Sequence, residues 1–232
     1  MPDLSQPLDE TGLKQLQKIV ATGKANEYLN LGDELITTYG GYTMPFEVVG
    51  FDDAELQDGS KVPAINLLSK YTTAGTSQWG SNANRAYSES ILRNTIQMTQ
   101  ASFEPNFVDC LANTKVQTIS RTGSTDVVYD KMYAPSMAQM GVTEVAYNSA
   151  AQAAVEGPAF TWYSNSVQAK RVKSTVADAG TNVIYWTRSI VGRTRGCATG
   201  HRRAAGEFAS VSSSRFPAFH GNRWCSTCQD RR

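Results

Sequence analysis

The apolar positions of this chain change their period several times. In PLDETGLKQLQKIVATG, residues 7–23, Leu13, Leu16, Ile19 and Val20 fall on one side of a 3.6-residue repeat, which predicts an amphipathic helix. Asp9 stands at the N-cap position, Leu8 and Leu13 are spaced as a hydrophobic staple, and Gly23 is the stop. The stripe is narrow, and suits packing on its own domain or on copies of itself in a short coiled coil. From residue 28 to 72 the pattern becomes β-type, with YLNLGDELITTY, MPFEVVGFDD and VPAINLLSKYTT separated by Gly-Gly, Asp-Asp and Asp-Gly turns. That reads as an antiparallel meander. RAYSESILRNTIQMTQASF returns to helical spacing, with Ile91, Leu92, Ile96 and Met98 as the apolar side and Ser88 as the cap. Residues 105–182 mix short helices with Ser-, Gly- and Asn-rich loops, and NVIYWTRS is the last strand. With no internal repeat and no Gly/Ser linker, the expected organisation is an N-terminal helical segment, 1–27, for oligomerisation or attachment, followed by a mixed α+β domain over 28–232.

Composition changes this picture little until the C-terminal fifth. The chain has 232 residues, 41% of them hydrophobic, and a formal net charge of +1, enough to bury a core but without a global field for nucleic acid or anionic membranes. No apolar run approaches the roughly 20 residues of a membrane-spanning helix. The N-terminus, MPDLSQPLDE, lacks the basic-then-apolar layout of a signal peptide. Synthesis in the bacterial cytoplasm, without membrane insertion, is the expectation. Cys110, Cys197, Cys225 and Cys228 are too few and too uneven for a secreted disulfide framework, and read as free thiols.

Motifs for chemistry are sparse. There is no phosphate-binding loop, no Gly-x-Ser-x-Gly elbow and no His-Glu-x-x-His. The two histidines, His201 and His220, lie in the C-terminal segment without a paired carboxylate. CSTC, residues 225–228, is only half of a zinc knuckle. Neither a metal nor a cofactor is expected, and the chain reads as non-enzymatic.

Residues 189–232 stand apart. They hold eight arginines against two acids, Glu207 and Asp230, with no Lys, no Met, one Glu, one Gln and one Trp. Upstream, those last five residue types make up about a fifth of the chain. They are the types that a codon ending in a pyrimidine cannot encode. The arginines lack the aromatic interleaving needed for base stacking, so nucleic acid is not the expected partner.

NLGDELI, FEVVGF, INLLSKY, YSESILRNTIQ, DKMYAPSMAQMG, FTWYSN, YWTRS and GEFASVSS follow in this order between about residues 30 and 219. The series resembles a domain family of gut bacteria and their phages, itself similar to the C-type-lectin-fold variable proteins of diversity-generating retroelements. In such systems reverse transcription of a template randomises adenines, which leaves a C-terminal repeat rich in pyrimidine-ending codons. The resemblance implies a C-type-lectin-like, formylglycine-generating-enzyme-like domain with a variable region over 189–232. It implies Trp186, Arg188 and Phe208 as scaffold. Display positions would be Ile190, Gly192, Arg193, Thr194, Arg195, His201 and Arg202, followed by Ser212, Ser213, Ser214 and Arg215. Arg188, inside an otherwise apolar strand, reads as buried and hydrogen-bonded rather than as a surface charge. The family's closing Arg-Pro-Ala-Phe strand is reduced here to PAF before a polar, Cys-containing end.

The expected function is display of a diversified surface on a phage or prophage virion, to a host cell-surface or environmental ligand, protein or glycan. Other virion proteins are the expected neighbours, and a homotrimer held by residues 8–22 is the expected assembly. The alternatives are a structural decoration or fibre-base protein of the particle, or an oxidase of the formylglycine-generating type, which needs a better-placed pair than Cys225 and Cys228.

Overall fold

A computed structural model describes residues 1–73, 76–77, 86–120, 122–141, 154–164, 173–183, 186–190, 197–199, 214–215 and 220–221. Its first helix, α1, spans Glu10–Ala21. The Asp9 carboxylate accepts from the Gly12 amide at 2.7 Å, satisfying one of the donors a helix start leaves open. Replacing Asp9 by Ala is expected to cost about 1 kcal/mol of unfolding free energy, read by urea denaturation; no change would mean that the first turn is held by Leu8 packing alone.

The meander follows as strands β1 (Glu34–Tyr39), β2 (Tyr42–Glu55) and β3 (Lys61–Ser69), antiparallel in the order β1-β2-β3. Tyr39 pairs with Tyr42 across a two-residue turn, Gly40-Gly41, with φ of 53° and 86°. Two consecutive positive φ values are the reason both positions are glycine. A register shift between Val48 and Gly50 interrupts the β2–β3 ladder.

β2 is buried on both sides. Leu35, Met44, Phe46, Val48, Ile65 and Leu67 join the main core, while Val49 and Leu68 pack with Met140, Phe160 and Tyr163. The main core is closed by α1, by α2 (Ile91–Thr99) and by α3 (Pro105–Asp109). Tyr39, Phe46, Phe103 and Phe107 form a chain of tilted rings with centroids 4.9–6.3 Å apart.

Leu13, Leu16 and Val20, at most 3% exposed, belong to this core. The apolar stripe of α1 is therefore docked on its own domain, and no boundary near residue 27 separates helix from sheet. α2 also departs from the expectation. Ser90, not Ser88, caps it, its hydroxyl accepting from the Arg93 amide at 3.0 Å; the Ser88 amide donates to Asp126. Leu92 and Ile96, four residues apart, face the core, whereas Ile91 and Met98 lie outside that stripe and are 41% and 78% exposed.

Beyond α3 come the hairpin β5 (Thr114–Ile119) and β6 (Thr125–Asp130), then β7 (Met132–Tyr133); β4, Thr76–Ser77, precedes α2. Arg93 holds the hairpin to α2 through a bidentate pair with Asp130, which is 2% exposed. A short helix α4 (Thr161–Ser164) is followed by strands β8 (Lys173–Thr175), β9 (Asp178–Val183), β10 (Trp186–Ile190) and β11 (Cys197–Thr199). The expected strand NVIYWTRS falls on β9, to Val183, and on β10, from Trp186, with 184–185 outside the described residues. Two further pieces, β12 (Ser214–Arg215) and β13 (His220–Gly221), pair with β4 and β7. The architecture is α+β, built of small antiparallel sheets and a few helices.

Lys173 ties β8 to the meander. It is 3% exposed, with its ammonium 3.1 Å from the Glu47 carboxylate. Burial, against the pull of Glu47, holds its pKa below the ordinary lysine value of 10.5. The unfolded chain then binds more protons than the folded one, so this group makes stability rise with pH up to 10.5. Lys70, bonded to Glu34, is shifted upward, and its contribution is lost only above that value. Lys173→Met is expected to flatten the rise in urea-unfolding free energy on the alkaline side below pH 10.5; an unchanged slope would assign the rise elsewhere.

Candidate functional site

Arg188 in β10 is 1% exposed. Its Nη1 donates to the Ala134 carbonyl at 2.9 Å and to the Gln139 side-chain oxygen at 2.6 Å. Nη2 donates to the Glu156 carbonyl at 3.0 Å, and Nε to the Gln117 carbonyl at 3.4 Å. The guanidinium carbon stands 5.3 Å from the centre of the Tyr133 ring, within cation–π range. A planar fork of five donors is the side chain that can serve four acceptors on three segments at once, which lysine cannot.

The neighbouring residue extends the network. Ser189, fully buried, donates to the Glu156 carboxylate at 2.5 Å and accepts from the Met137 amide at 2.8 Å. The Arg188 amide donates to the Pro135 carbonyl. β10 is thereby fixed to β5, to the turn at 134–141 and to the helical turn at 154–156, with both Gln139 and Glu156 buried at 8% and 2% exposure.

Gln139 is held by a reciprocal pair of bonds. Ser136 Oγ accepts from the Gln139 amide at 3.0 Å, and Gln139 Oε1 accepts from the Ser136 amide at 3.2 Å. This is a capping box, and its signature, Ser-x-x-Gln, stands in SMAQ at 136–139. Gln139 and Glu156 were absent from the expected site residues; the capping spacing points to the first, while nothing in the sequence marks Glu156.

Beside this network lies a cleft of about 160 Å³. Its walls come from β2 (Asp52, Glu55), β5 (Lys115, Val116, Gln117), Tyr133 and the 155–160 segment, with Gln139 and Arg188 among its lining residues. Lys115 and Glu55 form an ion pair of 2.8 Å at the mouth, and Asp52 accepts from Asn66 at 2.6 Å.

Of the expected display positions, Ile190 ends β10, where it pairs with Cys197, and Ser214 and Arg215 form β12 against β4. Trp186 opens β10 opposite Thr199. Gly192, Arg193, Thr194, Arg195, His201, Arg202, Ser212 and Ser213, with Phe208 of the expected scaffold, lie outside the described residues, as do Cys225 and Cys228. Ser189, the first residue of the compositionally distinct segment, belongs to the buried network rather than to a surface. Cys110 is buried and forms no disulfide among the described residues. Among the described residues no helix is long and apolar enough to cross a membrane.

Residues 65–214 match the family described as a domain of unknown function, DUF6273, and the chain belongs to that family. The matched span runs from β3 to β12 and contains every residue of the Arg188 network. No curated protein and no solved structure matches the chain.

Proposed function

We propose that this member of the DUF6273 family is a non-enzymatic binding protein of C-type-lectin-like fold, carrying a diversified C-terminal surface on a phage or prophage virion. The observation that carries the reading is the anchorage at Arg188. Four acceptors on three segments that precede residue 189 hold the strand from which the compositionally distinct segment departs. A base fixed by buried hydrogen bonds lets exposed side chains beyond it change without moving the backbone, as loops on rigid frameworks do. The low content of Lys, Met, Glu, Gln and Trp after residue 189 supports the same division.

The display positions on this reading are those from Ile190 to Arg202 and from Ser212 to Arg215 named above, facing a protein or glycan on a host cell or in the environment. Joining several such faces multiplies a weak contact by avidity. A homotrimer remains our proposal for that purpose, with its axis on a surface other than the apolar stripe of α1, which the core occupies.

The decisive observation is the neighbouring DNA. It is expected to hold a reverse-transcriptase gene and a near-copy of the codons after residue 189 that differs at adenines; a locus without that copy refutes diversification. At the protein level, Arg193→Ala, Arg195→Ala and His201→Ala are expected to change unfolding free energy by less than about 0.5 kcal/mol each while altering ligand binding. Losses at these positions as large as at Arg188 would refute the split between scaffold and display.

A further inference from the structure

Four charges meet on one face of the meander. Glu34 on β1 and Glu47 on β2 stand directly opposite each other, and like charges so placed are destabilising on their own. Two ammonium groups separate them: Lys70 bonds Glu34 at 2.5 Å, and Lys173, from β8, lies 3.1 Å from Glu47. The Lys173 side chain is 2% exposed and that of Glu47 18%. Leu68, opposite Glu47 in the β2–β3 ladder, and Val49, two residues along β2, are fully buried, so the pair lies against an apolar wall.

A pair in such a place gains little over the cost of desolvating its two ions. Burial pushes Lys173 towards the neutral amine, with Lys70 adding to the push and Glu47 and Glu34 opposing it. A desolvated amine is a nucleophile, and the group within its reach is an acyl carbon. The approach is held from the backbone: the Thr72 amide donates to the Ser174 carbonyl and the Val176 amide to the Thr72 carbonyl, both at 2.8 Å. Groups fixed together in this way react as though at effective concentrations of roughly 10⁵ to 10⁸ M.

We propose that Lys173 and Glu47 condense to an isopeptide bond, a self-made cross-link between β8 and β2. A proton first passes from the Lys173 ammonium to the Glu47 carboxylate, leaving an amine and a carboxylic acid. The nitrogen lone pair then attacks Glu47 Cδ. The N–C bond forms, a C–O bond breaks, and the hydroxyl leaves as water with a second proton from the nitrogen. Of the three ammonium hydrogens one stays on the amide and two leave in the water, so no oxidant or cofactor enters. Glu34, opposite Glu47, carries the second proton, and the Lys70 ammonium stabilises the negative charge that develops on the acyl oxygen. The bond closes a loop between residues 126 positions apart, constraining the unfolded chain as a disulfide does. An amide does not titrate, so the alkaline rise in stability assigned to Lys173 belongs to the chain before condensation and is measured on protein at its full sequence mass.

Intact-mass spectrometry of the full-length protein, followed over days at neutral pH, reads the step directly. The expected result is a mass below that of the sequence by one water, with protease digestion yielding two peptides joined at Glu47 and Lys173. Glu47→Ala and Lys173→Met are expected to stay at full mass. Glu34→Gln removes the proton carrier and is expected to slow the loss about tenfold or more, a readout that stands even where the first two variants fail to fold. Wild-type protein that keeps the full mass of its sequence, or a water loss that maps elsewhere, such as to Asp58-Gly59, overturns the cross-link. An unchanged rate in Glu34→Gln overturns the part given to Glu34.

Discussion

Replacing Arg188 by methionine is expected to lower the unfolding free energy by about 3 to 5 kcal/mol. The loss does not come from a broken ion pair, because among the described residues no carboxylate is paired with the guanidinium, whose bonds go to carbonyl and amide oxygens. It comes from the acceptors left behind. The carbonyls of Ala134, Glu156 and Gln117 accept from this group, and the side-chain oxygen of Gln139 would keep only its bond from the Ser136 amide. Each buried acceptor without a donor costs about 1 to 3 kcal/mol, and the effects overlap because one water or one shift of the turn can satisfy more than one of them. Arg188→Lys is expected to recover little, since an ammonium lacks the planar fork. Urea denaturation of the three proteins measures this; a loss below about 1 kcal/mol in the methionine variant would show that the network is not what holds β10.

Deleting residues 8–22 is expected to unfold the protein rather than to release folded subunits. Leu13, Leu16 and Val20 are each at most 3% exposed and pack in the same core as Leu35, Phe46 and Ile65. At about 1.5 to 3 kcal/mol per fully buried aliphatic side chain, their removal takes roughly 5 to 9 kcal/mol, comparable with the whole stability of an ordinary domain. Circular dichroism and light scattering on the deleted protein distinguish the outcomes. A folded product of lower mass than the full chain would return to α1 the oligomerising role that its narrow stripe suggests.

Where a fold feature follows from a few adjacent residues, the sequence states it. Asp9 before a 3.6-residue repeat and Gly40-Gly41 between two β-type runs each act within one turn of chain, and α1 and the β1–β2 hairpin are readable on that ground. The α2 cap is read two residues early because Ser88 and Ser90 are chemically equal there, and only the tertiary bond from the Ser88 amide to Asp126 separates them. The β5–β6 hairpin was hidden among polar loops, since its strands alternate buried with half-exposed positions and carry Lys, Gln, Thr and Asp. The burial of Arg188 is readable from its apolar strand, but its partners are not. They are mostly backbone carbonyls, which any residue type supplies, brought together from three segments by packing.

The distances along the chain within that network bear on how the protein assembles. Arg188 bonds to residues 32, 49, 54 and 71 positions away, whereas the β1–β2 and β5–β6 hairpins close over a few residues. Closing long loops costs entropy before the contacts repay it. The hairpins are therefore expected to form early and the Arg188 network last, after the transition state. Weakening it should then accelerate unfolding and leave the folding rate nearly unchanged. On the ribosome the consequence is one of order: β10 emerges after every residue that the Arg188 side chain bonds, so the first 185 or so residues must wait, with their cleft unfinished, until the strand that locks them has been made.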